Sequence, residues 1–284
     1  MSSRYDTYRK FKSTCMSVLA VFCALLVVLP LILVFIYLLQ MGISSLNWDF
    51  LTKLPQPVDP DHPGGGGMAN AIVGTLELMG LALVMGVPIG LLGGIYLAEY
   101  GSEKAAVWIR FGADVLNGVP SIVWGLVGFT LVVAPMQNYS AFAGGVALAF
   151  MMIPMVLRTT EEVLVLVPGS YREAGLALGI PRWKITLHIV LRTAIKGIVT
   201  GVLLALGRVA GETAPLLFTA LGSSLWNTSL KEPIAALPIQ IYYYAISPFE
   251  DQNRQAWAGA LVLILIVFIL SLSVRMLSLR RKRS

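Results

Sequence analysis

Apolar residues run along this chain in long blocks, with neither strict alternation nor a polar face recurring every turn. Residues 16–39 carry no charge, and about 20 apolar residues suffice to cross a ~30 Å hydrocarbon core as a helix. Five further blocks, at about 71–97, 117–136, 140–157, 194–220 and 256–277, predict spans of the same kind, six in all. The first block follows Arg9, Lys10 and Lys12 as a signal peptide would. It is too long for a signal core, and no small-residue cleavage site follows, so it reads as a retained anchor.

Breaker residues mark the connections. Residues 40–70 hold Pro55, Pro57, Pro60 and Pro63 followed by Gly64 to Gly67, which excludes one helix and predicts a segment bent over the outer face. Residues 221–255 hold Trp226, Pro233, Pro238 and Tyr242 to Tyr244, which suits an interfacial helix, a docking surface for an external partner, or an aromatic belt.

Composition narrows the class. The 284 residues are 57% hydrophobic and 13% charged, against about a quarter charged in soluble domains. The expected fold is therefore an all-α integral membrane protein with six transmembrane helices. Of the 21 Lys and Arg, 17 fall on the side of the N-terminus: Arg4, Arg9, Lys10, Lys12, Lys104, Arg110, Arg158, Arg172, Arg182, Lys184, Arg192, Lys196, Arg275, Arg280, Arg281, Lys282 and Arg283. Lys53, Lys231 and Arg254 fall on the other side, and Arg208 lies within a span. The positive-inside rule then places both termini in the cytoplasm. The expected order is a basic N-terminus (1–15), a first span (16–39), an external loop (40–70), a five-helix core (71–277) with a cytoplasmic loop at 158–193, and a basic tail (278–284). The net charge of +6 reflects this bias and a tail able to touch anionic lipid headgroups, with no sign of nucleic-acid binding. Cys15 and Cys23 match no metal or redox spacing and read as packing residues, and His62 and His188 are too far apart in sequence to suggest a ligand pair.

Candidate chemistry lies in three places. In the loop, Ser170 and Glu173 have the spacing of a capping box, Gly179 is a helix stop, and Pro181 restarts a helix. This predicts two short helices joined at a glycine, the first small and apolar enough to lie in another protein's groove; a plain structural elbow is the alternative. In the fifth span, Gly197, Gly201, Ala205, Arg208 and Glu212 form one stripe, with Glu212 one turn from Arg208 as its first candidate partner. Pro215 is expected to bend the helix just beyond these charges. A membrane-embedded arginine costs about 2.5 kcal/mol or more on insertion scales and so calls for protein or water around it. It serves either as a structural salt bridge or as an oxyanion contact, since its planar fork matches phosphate or sulfate oxygens. Arg158 and Glu161, at the inner end of the fourth span, read equally as a surface pair. Glu77 either snorkels outward or meets a partner subunit.

The loop's Glu173-Ala174-Gly175, three residues, Gly179, nine residues, Ile189, one residue, Leu191 resembles the EAA loop of bacterial ABC-importer permeases, with Gly175 for the second alanine and Arg192 for the terminal proline. Together with Arg208-Val-Ala-Gly-Glu-Thr-Ala-Pro215, Gly118-Val-Pro-Ser-Ile-Val123 and Pro154-Met-Val-Leu-Arg-Thr-Thr-Glu161, it resembles the PstA-type permease family of phosphate-specific ABC importers. The resemblance spans about residues 70–277. It implies a MetI-like type I importer fold and the bacterial inner membrane as location. It also implies a related second permease (PstC-like), two copies of a cytoplasmic ATPase (PstB-like) and an external phosphate-binding protein (PstS-like). Arg208, Glu212, Arg158 and Glu161 then line the phosphate route, with Thr213 as a hydroxyl contact, and Glu173, Ala174, Gly175, Gly179 and Ile189 form the coupling site. The chain has no Gly-Lys pair and hence no P-loop: ATP and Mg belong to the ATPase, and the chain carries no cofactor of its own. Competing readings are a permease for sulfate, molybdate or tungstate, an ATP-independent secondary transporter or channel, and a membrane enzyme.

Overall fold

A segment inside hydrocarbon must satisfy its own backbone hydrogen bonds, and the long apolar runs do so as helices. The computed structural model describes residues 2–57, 66–227 and 229–280, with side chains from 8 to 276. These residues are helical throughout apart from turns and one isolated bridge, Leu221 with Ile234. The elements are α1 (Ser2–Ser45), α2 (Trp48–Thr52), α3 (Ala69–Tyr100), α4 (Glu103–Gly118), α5 (Ser121–Met136), α6 (Ala141–Val165), α7 (Gly169–Ala177), α8 (Arg182–Ala210), α9 (Ala214–Leu217), α10 (Leu237–Ala245) and α11 (Glu250–Arg280). Helices α3, α5 and α8 each contain a π-helical turn, at Tyr96–Tyr100, Phe129–Val133 and Thr186–Val190.

Five of these, α1, α3, α6, α8 and α11, are long and apolar enough to cross a membrane, and a sixth span requires α4 and α5 together, bent by 101°. The expected span at 117–136 is thus corrected: its first residues close α4, and the chain turns before Pro120. Val119 is extended (φ −67°, ψ 131°), as the residue before a proline prefers. The expected span at 194–220 is corrected as well. Its helix begins at Arg182 and stops at Ala210, because apolar content marks membrane thickness and leaves charged helical flanks unseen. For the same reason α1 runs far beyond 16–39.

The deepest interface joins α3 to α6. Gly86, Gly90 and Gly94, one turn apart, let the two backbones approach. A Cβ on Gly90 would stand 2.8 Å from that of Val156, and one on Gly94 would stand 2.6 Å from the Leu157 carbonyl oxygen. Leu78, Met152, Val156, Leu206, Val209, Leu216 and Ile239 fill the core around this contact.

At one end of the bundle the 221–249 segment folds onto α3. The Thr75 hydroxyl accepts the Leu237 N–H at 2.8 Å, Asn70 donates to the Ser223 carbonyl at 2.8 Å, and a Cβ on Gly74 would collide with the Ala235 carbonyl. A short helix, α10, forms in the 221–255 segment, with Tyr242 and Tyr243 exposed and Tyr244 buried. The described ends of the 40–70 segment come together: the Met68 N–H returns to the Phe50 carbonyl at 2.9 Å, with both side chains buried. Pro60, His62, Pro63, Gly64 and Gly65 lie outside the described residues, as do Arg281, Lys282 and Arg283 of the tail. Helix α1 leans on α11, where Tyr37 meets Trp257 edge-on at 5.0 Å. Cys15 and Cys23 are exposed on α1, so they are not packing residues within this chain.

Candidate functional site

From Lys196, the last charge before the apolar run of α8, to Ala210, where the helix ends, the rise is about 21 Å, short of a ~30 Å core. The break therefore interrupts the apolar run of α8 before it is long enough to cross such a core. Gly211 to Thr213 are non-helical, and the short α9 packs against α5, where a Cβ on Gly125 would stand 2.7 Å from the Pro215 Cα. A discontinuous helix of this kind frees backbone groups to line a polar site.

Arg208 occupies the last turn of α8, where a cation complements the helix dipole. The expected Arg208–Glu212 pair does not form: the helix ends between them, and among the described residues the guanidinium has neither a hydrogen bond nor an ion pair. Nor does the small-residue stripe bury the charge. Gly197 and Gly201 meet Val163 and Thr159 of α6, and Ala205 is buried, whereas Arg208 is exposed. Glu212 and Thr213 are half-buried, with the Thr213 hydroxyl 3.5 Å from the Pro238 carbonyl.

Arg158 and Glu161 form a close pair, but not on the surface. Glu161 is 3% exposed and receives two guanidiniums, Arg158 Nη1 at 2.6 Å and Arg110 Nε at 2.5 Å. Arg158 Nε also binds Asp114 at 2.9 Å, and Glu162 stands 3.9 Å from its Nη2. The cluster clamps α4 onto α6. A buried carboxylate needs such partners, because desolvation otherwise outweighs what one surface pair supplies. Glu77 is half-buried on α3.

The loop keeps its helix–glycine–helix outline with two corrections. The capping box does not form: α7 starts at Gly169 behind Pro168, leaving Ser170 inside the helix with no side-chain cap. The second helix is not short, since Arg182 begins α8 itself, and the connecting loop proper is 166–181. Gly179 has φ +72° and closes α7: its N–H meets the Leu176 carbonyl at 2.9 Å, while the Ile180 N–H meets that of Gly175 at 3.1 Å. Only glycine holds that conformation cheaply. The departure at Gly175 has a packing cause, for a Cβ there would stand 2.8 Å from two carbons of Ile185. Glu173 and Ala174 are exposed, Gly175 is buried and Ile189 is half-buried. Leu176, Leu178 and Trp183 stand out from the loop, Leu178 at 78% exposure.

A family model described as "Binding-protein-dependent transport system inner membrane component" matches residues 90–283. The chain belongs to this family. It is a multi-pass inner-membrane permease with no ATPase site of its own. The phosphate transport system permease protein PstA of Yersinia pestis is 45% identical over 242 residues, covering 85% of this chain and 81% of the relative. The protein of that name from Xylella fastidiosa is 45% identical over 248 residues, covering 86% and 85%. The fold matches a bacterial ABC transporter involved in import of the acidic polysaccharide alginate, with TM-score 0.66 at 14% identity, over 97% of this permease and 98% of that chain. The expected all-α importer-permease fold is therefore correct.

Sequence reading missed Arg110, Asp114, Glu99 and the partners of Arg172 in this permease. Arg110 and Asp114 sit one turn apart on an amphipathic helix, a visible signal. Their pairing with Arg158 and Glu161 depends on how α4 folds back and has no signature in local spacing.

Proposed function

We propose that this chain is the PstA-type permease subunit of an ABC importer that moves inorganic phosphate into the cell, with both termini in the cytoplasm. It works beside a second, related permease, two ATPase subunits that bind ATP and Mg, and an external phosphate-binding protein. One observation carries the reading furthest: an always-charged guanidinium, unpartnered among the described residues, stands exposed at the break that interrupts the apolar run of α8. Left against lipid, such a charge is costly; beside a second permease it supplies an oxyanion contact. The relatives' names point the same way.

Phosphate delivered by the binding protein enters between the two permeases and meets the Arg208 fork. Glu212 and Thr213, just past the break, keep the contact from becoming a trap, because conduction needs release as well as capture. Arg158 and Glu161 stand farther along the route, inside the α4–α6 clamp, whose two arginines against three carboxylates leave one net negative charge and favour release. ATP binding closes the ATPases on the exposed side of the cytoplasmic loop, Glu173 and Ala174 of α7 and Gly179 just past its end, with Leu176, Leu178 and Trp183 as apolar anchors. Hydrolysis resets the permease inward.

The test is uptake by the purified complex in liposomes. The expected result is phosphate accumulation that requires ATP and the binding protein and that excess sulfate, molybdate or tungstate leaves intact. Equal competition by those anions overturns the substrate, and accumulation driven by an ion gradient without ATP overturns the class.

A further inference from the structure

One side chain on the ATPase-facing helix holds the inner ends of two spans. Arg172, in α7, binds Glu99 through Nε at 3.0 and 3.2 Å and through Nη2 at 2.5 Å. The same guanidinium donates to the Leu164 carbonyl at 3.0 Å and the Val167 carbonyl at 2.8 Å, at the C-terminal end of α6. Glu99 lies in the π-helical turn that ends α3, with its side chain 9% exposed. One arginine thus gathers α3, α6 and α7, and α3 and α6 share the deepest interface of the fold.

Two features make this junction a joint. A cavity of 170 Å³, lined by Ala98, Tyr100, Leu176, Arg182, Ile185 and Thr186 around the pair, gives the surrounding side chains room to move. Across it, Tyr100 and Thr186 hydroxyls stand 3.3 Å apart, and each belongs to a π-helical turn, the one ending α3 and the one that follows the first turn of α8. Such turns carry an extra residue per turn and recur at functional sites. Stranding a buried carboxylate is expensive, so Glu99 follows Arg172 when α7 moves.

We infer that Arg172 and Glu99 are a positioning pair that transmits displacement of α7 into the inner ends of α3 and α6 and so sets how much transport each ATP drives. The inference rests on the reading that α7 is where the ATPase docks. The experiment uses the complete complex with its binding protein in liposomes, scoring phosphate uptake and ATP hydrolysis on the same preparation. The variants are Glu99→Gln, Arg172→Gln, their double, and Arg172→Lys. In both glutamine variants the phosphate-to-ATP ratio should fall about tenfold, within the range of coupling between two sites, while the ATPase still co-purifies. The double variant should be no worse than either single one, since both remove one interaction, and Arg172→Lys should recover part of the ratio. A wild-type ratio in Glu99→Gln, or losses that multiply in the double variant, overturns the inference. So does a lower yield of complex in which the assembled fraction keeps the wild-type ratio, which marks the pair as a fold contact. If Glu99→Gln does not assemble, Arg172→Lys carries the test by the same ratio. Failure of the underlying reading looks different: wild-type complex without ATP-dependent uptake, or without a bound ATPase.

Discussion

Arg208→Gln separates transport from folding more cleanly than other substitutions in this chain. The Arg208 guanidinium has no partner among the described residues and the residue is exposed at the end of α8, so in the assembled complex, where it faces the route and not lipid, its removal should alter folding stability by no more than about 0.5 kcal/mol. Its fork can give an oxyanion two charge-assisted hydrogen bonds, at about 1.5–3 kcal/mol each. Their loss, about 3–6 kcal/mol in the occupied route, corresponds to about 10²- to 10⁴-fold in uptake at one tenfold step per 1.4 kcal/mol. Glutamine offers one neutral donor group in a side chain two bonds shorter, and lysine keeps the charge without the planar fork, so Arg208→Lys should fall between. The assay is radiolabelled phosphate uptake by membranes expressing equal amounts of complex, with thermal unfolding in detergent as the stability control. Wild-type uptake by Arg208→Gln removes this residue from the route, and a destabilised complex shows that Arg208 belongs to a structural contact.

Glu161→Gln should destabilise the complex by about 1–3 kcal/mol, because both arginines lose a charged acceptor while remaining partly solvated. Arg110→Gln should cost less, since Arg158 still pairs with Glu161; thermal unfolding ranks the two. Thr75→Val removes the acceptor of the Leu237 N–H and leaves a buried donor unpaired, at about 1–3 kcal/mol. Thr75→Ser should restore it, and limited proteolysis of 221–249 reads the difference. Gly175→Ala pushes a Cβ into Ile185 and should cost about 1–3 kcal/mol as overpacking. Adding Ile185→Ala should make the double variant more stable than Ile185→Ala alone.

Membrane residence, helical class and approximate span number are local properties: they follow from how many consecutive residues avoid charge, and no folded context is needed to count them. The loop outline was equally legible, because Gly179 and Pro181 act on backbone dihedrals within a few residues. What failed was the charge pairing and the helix ends, which are decided between segments. The 16 residues of α4 look like a charged loop until Arg110 and Asp114 meet α6. Arg208 and Glu212 look like a helical pair until α8 ends at Ala210. Arg172 reads as one more inner-side cation, yet its geometry is set by Glu99, 73 positions earlier. Hydropathy records the free energy of transferring one segment into lipid. Charge pairing and helix ends depend on which other helix occupies the neighbouring space, and only the packed bundle decides that.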